Sequence, residues 1–341
     1  MSVSFVAPTD HRRQLVAGDR LAAACLALPV GVLAVLDVLP FDIHVRHGDR
    51  SVLYALRDAI PGDLLAHAGP DIDLVVPIEQ ARPYRRQILA CLADAAGRTD
   101  RSVGQRARRI VTVLGPLLGP LVGDVEIDPG GLSAAAAGLA IVARAVGHDR
   151  ELGERILDRP VAARLPTSGR WIPGTGLRLG RAIDAAIIAA LVASAVDALP
   201  EDAALAAAAR DVGLAGGPER RAADRRHPLV SADLVAASGG SAAVVAAIAA
   251  HHERLDGSGY PVGLAGDGIG PAGRAVALAD GFVTMTRGTT PNHGIPAADA
   301  FRALRIVTRG RFDDRAVIAL ADIVGGGAAA ISGGFQRSAS H

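Results

Sequence analysis

Apolar and polar residues alternate one by one over Phe41-Asp42-Ile43-His44-Val45-Arg46, the period of a half-buried strand. His47-Gly48-Asp49-Arg50 can turn the chain, and Ser51 to Leu56 reads as a second strand. Ile60-Pro61-Gly62-Asp63 opens a short helix through Ala68, and Ile72 to Pro77 is a third strand. Leu21 to Leu36 is apolar but interrupted by Pro29 and followed by Asp37. A bilayer span needs roughly 20 apolar residues, so this stretch reads as buried helix and strand. With a loose polar arm over residues 1–20, residues 1–98 form a small α+β module.

Beyond it the apolar spacing lengthens to that of helices. Arg82 to Ala96 is a helix. Residues 99–131 read as a helical and then irregular linker. Arg101, Arg106, Arg108 and Arg109 give it a solvated basic face, and Leu114 to Gly131 holds three prolines and five glycines. Leu132 to Val146, Glu151 to Leu157 and Leu177 to Leu199 are helices, and Leu165 to Gly176 is a loop. A helix from Pro200, capped near Asp202, runs into Arg210. Gly216 to Arg226 is a polar loop, and His227-Pro228 opens a helix through Ser238. Ala242 to Ala250, Pro271 to Met285, Pro296 to Leu304 and Asp313 to Val324 are further helices. The chain is therefore mainly α, with a large helical domain over 132–324 and a Gly/Ala/Ser-rich tail over 325–341.

Composition agrees with that picture. Half the residues are hydrophobic and only 3% are aromatic, so Ala, Leu and Val must fill the core, which suits close-packed helices. The net charge of +1 gives no broad grip on a nucleic-acid polymer. Cys25 and Cys91 lie far apart with no metal-binding spacing, which fits a reduced, cytoplasmic setting. No membrane span is expected.

The densest chemistry lies at His251-His252-Glu253-Arg254-Leu255-Asp256-Gly257-Ser258-Gly259-Tyr260-Pro261-Val262-Gly263-Leu264. An apolar helix here ends in two histidines. Neighbouring helical residues point about 100° apart, so the two imidazoles face adjacent directions and could serve neighbouring metal positions. Gly257, Gly259 and Gly263 allow a tight loop whose backbone comes close to a ligand.

This stretch resembles the signature of the HD-GYP family of cyclic-di-GMP phosphodiesterases: HHE, two residues, DGSGYP, one residue, GL. The resemblance implies a helical HD-GYP bundle, and residues 1–98 look like the module often placed before it. Arg210-Asp211-Val212-Gly213-Leu214 stands where the family reads His-Asp-Ile-Gly-Lys. His227-Pro228 matches a metal-binding His-Pro, and Asp280 in Arg274 to Phe282 matches a ligand aspartate. His148-Asp149 lies too far upstream to be the HD pair and reads as a helix cap.

Carried over by position, the implied metal ligands are Asp211, His227, His251, His252 and Asp280, with Asp211 central to catalysis. The implied cofactor is a divalent metal, iron or manganese, with one ion or none retained. The HD histidine has become Arg210 and the lysine Leu214. An earlier ligand histidine falls near Arg178, and the two arginines could stand in for one metal.

Gly257, Gly259, Tyr260 and Pro261, with Arg287, are the implied substrate- or partner-binding loop. The implied partners are cyclic-di-GMP and diguanylate cyclase (GGDEF) domains, with a homodimer left open. Turnover is expected to be impaired by the loss of the HD histidine and lysine. An active enzyme yielding pGpG or GMP, and a non-catalytic binding module, are the alternatives.

Overall fold

The computed structural model describes residues 25–47, 50–59, 61, 62, 64, 72–123, 127–158, 175–214, 225–288, 294–307 and 309–324. The expected arm, the 165–174 loop, most of the 216–226 loop, the tail and most of the 60–68 helix fall outside these residues. Strands β1 (Cys25–Ala27), β2 (Ile43–His47), β3 (Arg50–Ala55) and β4 (Leu74–Pro77) form one antiparallel sheet in the order β1-β4-β2-β3. A single helical turn, α1 (Val30–Leu33), follows β1. The three expected strands thus appear as β2, β3 and β4, and the Leu21 to Leu36 stretch supplies β1 and α1.

The sheet packs on α2 (Ala81–Gly97). Tyr84 donates its hydroxyl to Ala27 O at 2.9 Å, and its ring meets Phe41 edge-on at 5.3 Å. Leu28, Phe41, Ile43 and Leu74 are fully buried there, in the same apolar cluster that continues through the helices to Ile323. Sheet and bundle share one core.

The predicted irregular connector is instead a helix, α3 (Val103–Gly123), with Pro116 and Pro120 inside it. Ile110, Val113, Leu114, Leu117, Leu118 and Leu121 recur at helical spacing and are all buried. Each proline costs about 3 kcal/mol in a helix interior. Burying each of these side chains contributes about 1.5–3 kcal/mol, so the apolar stripe outweighs both prolines. The basic face is also not wholly solvated. Arg106 is buried, donating to Asp149 Oδ2 at 2.6 Å and to Ala96 O at 2.6 Å. Asp149 in turn accepts from Leu152 N, capping α5 (Arg150–Leu157), so it is a cap and an ion-pair partner.

Helix α4 (Pro129–His148) is capped by Asp128, which accepts from Gly130 N and Gly131 N. It packs with α6 (Thr175–Ala193) and α7 (Pro200–Ala209). By length and composition, 129–148 and 177–196 could each cross a membrane, and here both pack against other helices of the bundle. Helix α7 begins with Pro200 in its first turn after Leu199; no side chain caps it. Asp202 lies inside the first turn, where it faces the positive end of the helix dipole. Helices α8 (His227–Ala237), α9 (Ala242–Ala249), α10 (Pro271–Arg287), α11 (Ala297–Val307) and α12 (Asp314–Ile323) complete the bundle.

Leu114→Ala distinguishes a core helix from a connector. Loss of a fully buried leucine is expected to lower unfolding free energy by about 2–5 kcal/mol in urea titration. A change under about 0.5 kcal/mol would mean that α3 is not core.

Candidate metal centre

Alanine makes the centre possible. Ala203, Ala204 and Ala206 to Ala209 are buried on every side of α7, which lets α4, α6, α9 and α10 close in around it. The helix stops at Arg210, and Asp211 leads into a short 3-10 turn over Val212–Leu214. That turn is pressed onto α8. A Cβ at Gly213 would lie 2.8 Å from Ser231 N and 3.1 Å from His227 O, and Gly213 N donates to Ser231 Oγ at 3.0 Å. Asp211 is thereby set beside His227, the first residue of α8. Helix α9, capped by Ser241 Oγ on Val244 N, delivers His251 and His252 just past its end. Helix α10 supplies Asp280.

The five implied ligands do converge. His227 Nε2 and His251 Nε2 are 3.1 Å apart, and Asp211 Oδ1 lies 3.7 and 3.9 Å from them. His252 Nδ1 lies 3.5 Å from Asp280 Oδ2, and one donor atom from each of the three histidines falls within 4.8 Å of the others. Two imidazole nitrogens bound to one ion at about 2.1 Å stand about 3.0–3.4 Å apart, which the His227–His251 pair already matches. His251 Nδ1 donates to Ile248 O at 2.6 Å, since a carbonyl can only accept. Its Nε2 therefore carries the lone pair, aimed at His227 and Asp211. The donor set and its orientation fit a divalent metal held by Asp211, His227 and His251, with His252 adjoining.

Charge is arranged to suit. Burial, and then His251, pushes the His252 pKa down to about 3, and burial lowers His251 as well. Both rings are neutral near pH 7. Desolvation raises the Asp211 and Asp280 carboxyls, but the surrounding groups, Arg210 foremost and then the neighbouring histidines and Arg181, together outweigh it and both fall below the ordinary carboxylate range. Asp211 keeps 30% of its side chain exposed, whereas His251 and His227 are buried, so the aspartate marks the open side of the centre.

Arg210 is the largest departure from a plain ligand cluster. It is 1% exposed, and its Nε donates to Asp280 Oδ1 at 2.7 Å. Nη1 donates to Ala207 O at 2.6 Å, and Nη2 lies 3.5 Å from Asp211 Oδ2. Its hydrogen-bonded carboxylate is thus Asp280, seventy positions away, rather than the adjacent Asp211. Arg181, one turn after Arg178 on α6, also has its charge near Arg210, Asp211 and Asp280; it donates to Thr284 Oγ1 and Gly288 O.

The loop after the histidines is tied back by a residue that sequence reasoning took only as a letter of the motif. Glu253 is 1% exposed and accepts from Val262 N at 2.8 Å, Gly263 N at 3.1 Å and Leu264 N at 3.0 Å. Its one legible signal was an acid at a helix end ahead of a glycine-rich segment. Gly259 packs where a Cβ would lie 2.4 Å from Glu253 Cα, and Gly257 and Gly263 have φ of +75° and +81°. The Tyr260 ring lies 4.6 Å from that of His252, and the Arg225 guanidinium lies over the Tyr260 ring, 4.8 Å from its centroid. Arg287 is not part of this loop. It ends α10, seven residues or about 10 Å of helix beyond Asp280, and is bound to Asp184 and to Leu157 O. A buried aspartate on α6 holds it.

Residues 190–316 match the model of the HD domain family. Similar proteins include a cyclic di-GMP phosphodiesterase response regulator, RpfG, of Xanthomonas campestris, 41% identical over 99 residues, 28% of this chain and 26% of the relative. A cyclic di-GMP phosphodiesterase, PA4108, of Pseudomonas aeruginosa is 32% identical over 102 residues, 30% of this chain and 24% of the relative. The HDG"Y"P protein Bd1817 of Bdellovibrio bacteriovorus superposes with a TM-score of 0.60 at 17% identity, covering 89% of this chain and all of that one. Over the helical domain these matches support the HD-GYP family. It spans about a quarter of the length of those two curated relatives. The fold of the HD-GYP neighbour agrees with the helical bundle, and HD domains in general bind divalent metals.

Two outcomes test this geometry. Glu253→Gln places amide hydrogens against backbone donors, so hydrogen exchange at Val262, Gly263 and Leu264 is expected to quicken, and unchanged protection would count against the clamp. In metal-free protein the unfolded chain takes up protons on histidine below about pH 6.5 that folded His251 and His252 refuse. Stability is therefore expected to fall as pH drops from about 6.5 towards 3, by up to about 1.4 kcal/mol per pH unit for each histidine. A urea midpoint that stays flat over that window would contradict the buried neutral rings.

Proposed function

We propose that this HD-GYP protein binds a cyclic dinucleotide of the cyclic-di-GMP class at the Asp211–His227–His251 centre and hydrolyses it poorly. The observation that carries the reading is the buried Arg210–Asp280 ion pair, which takes one implied ligand carboxylate out of the ligand set. The substrate class is supported by the relatives, named as cyclic di-GMP phosphodiesterases and, in Vibrio cholerae, a 3'3'-cGAMP-specific phosphodiesterase 39% identical over 66 residues, 19% of this chain and 15% of the relative.

A divalent metal at this centre would supply water activation and neutralise charge on the phosphoryl oxygens. The chain's own residues divide the remaining work. His251, fixed by Ile248 O, presents its lone pair inward, His227 Nε2 faces it at 3.1 Å, and Asp211 holds negative charge at the open side. Leu214 stands where the family motif has a lysine, so no cation from that position reaches the substrate phosphate. The Tyr260–Arg225 pair offers an aromatic and cationic wall beside His252 for a base or a phosphate. The loop tip is suited to docking a GGDEF domain, since Val262 is 66% exposed on a loop that Glu253 holds rigid. Cys25 and Cys91 are both free, in keeping with a cytoplasmic location.

The competing reading, an active phosphodiesterase, is favoured by the orientation of His251 alone. Purified full-length protein with added manganese or iron and cyclic-di-GMP separates them, using equilibrium dialysis for binding and chromatography for pGpG and GMP. Binding with turnover at least about 100-fold below that of RpfG, some 2.7 kcal/mol of lost transition-state stabilisation, is expected. Turnover comparable with RpfG would overturn the impaired reading, and absence of binding would overturn the substrate class.

A further inference from the structure

The two oxygens of Asp211 face different neighbours. Oδ1 looks towards His227 Nε2 and His251 Nε2 at 3.7 and 3.9 Å. Oδ2 looks towards Arg210 Nη2 at 3.5 Å. A carboxylate placed in this way can face a cation on each side. On the second side the cation is already present, covalently attached to the chain, and it cannot leave by protonation chemistry because a guanidinium keeps its charge at any ordinary pH.

Arg210 is also immobile. It is 1% exposed and among the largest fully buried side chains of the protein. Asp280 Oδ1 and Ala207 O hold Nε and Nη1 at 2.7 and 2.6 Å, both short for neutral hydrogen bonds and ordinary for charge-assisted ones. Nη2 has no hydrogen bond of good geometry and stays buried against Asp211. Asp280 is thereby committed: one oxygen to the guanidinium, the other towards His252 Nδ1 at 3.5 Å. A second divalent ion between Asp211 and Asp280 would have to displace a buried ion pair and sit against a fixed positive charge, with no imidazole at position 210 to bind it. The net local charge points the same way. The carboxylates of Asp211 and Asp280 face two guanidiniums, Arg210 and Arg181, so no net negative charge is left to hold a second divalent ion.

We propose that Arg210 is the second cation of this centre, a guanidinium in the place of a second metal ion. The centre then binds one divalent metal, through Asp211 Oδ1, His227 Nε2 and His251 Nε2, while Arg210 orients Asp211 and occupies Asp280. Arg210 is a positioning residue, acting through the two aspartates. This deepens the proposed function, whose metal centre it takes as its starting point.

Metal content and manganese(II) electron paramagnetic resonance of the folded full-length protein test it without reference to turnover. Wild type is expected to hold about one manganese per chain, with the hyperfine pattern of an isolated ion. Arg210→His restores an imidazole and frees Asp280, so content is expected to rise to about two per chain, with the broadened spectrum of an exchange-coupled pair. Arg210→Lys keeps a cation and is expected to stay at about one. Two coupled ions in wild type, or no bound ion, would overturn the proposal. So would an Arg210→His variant, folded by circular dichroism, that remains at one isolated ion. Should that variant fail to fold, wild type and Arg210→Lys still decide: two coupled ions in either refutes it. A protein that holds one ion but binds no cyclic-di-GMP leaves this proposal standing and removes only the substrate reading.

Discussion

The centre depends on how closely helices can approach an alanine rod. Helix α7 is buried on all faces through residues whose side chains end at Cβ, so four neighbouring helices lie against its backbone. Larger side chains would push α9 and α10 outward and separate His251 and His252 from Asp211 and Asp280. The same crowding explains Arg210. At the end of so tight a helix a long side chain has no route to solvent, and its charge must be met inside. Asp280 meets it, and the helix carbonyl of Ala207 takes a further donor. A buried ion pair of this kind adds little net stability against an apolar replacement, but losing one partner strands the other. The pair therefore constrains which substitutions the centre tolerates more than it strengthens the fold.

Much of the fold was legible because its signals are periodic. Single-residue alternation marked β2, short apolar runs marked β3 and β4, and apolar stripes marked α2 and the helices from α8 onward. Alpha-helix α3 was hidden because Pro116 and Pro120, with several glycines, speak locally for a loop. Their cost is met only by burial of Leu114, Leu117 and Leu118, which no local rule counts. Arg106 was misjudged for the same reason: a charge reads as solvated until a distant acid, Asp149, is known to face it.

The site was legible in the residues that converge and not in their partners. Asp211, His227, His251, His252 and Asp280 converge as the motif spacing implies. The pairing of Arg210 with Asp280 and of Arg287 with Asp184 joins positions about seventy and a hundred residues apart. Only the packing of α6, α7 and α10 brings them together. Glu253 was hidden by function of another kind, since its task is to satisfy backbone donors and backbone donors leave no mark in a sequence.

That glutamate makes the loop and the histidine pair one mechanical piece. Glu253 follows His252 directly, and its carboxylate carries the turn after Pro261, while Tyr260 N is bonded to His252 O at 3.2 Å. A load applied at the tip around Val262 thus reaches the imidazoles with a single peptide unit of slack. Any coupling between a partner at the tip and a ligand between the rings would run through these bonds, and would act equally in both directions. The motif is therefore less a row of ligands with a loop appended than a lever whose short arm ends in imidazole.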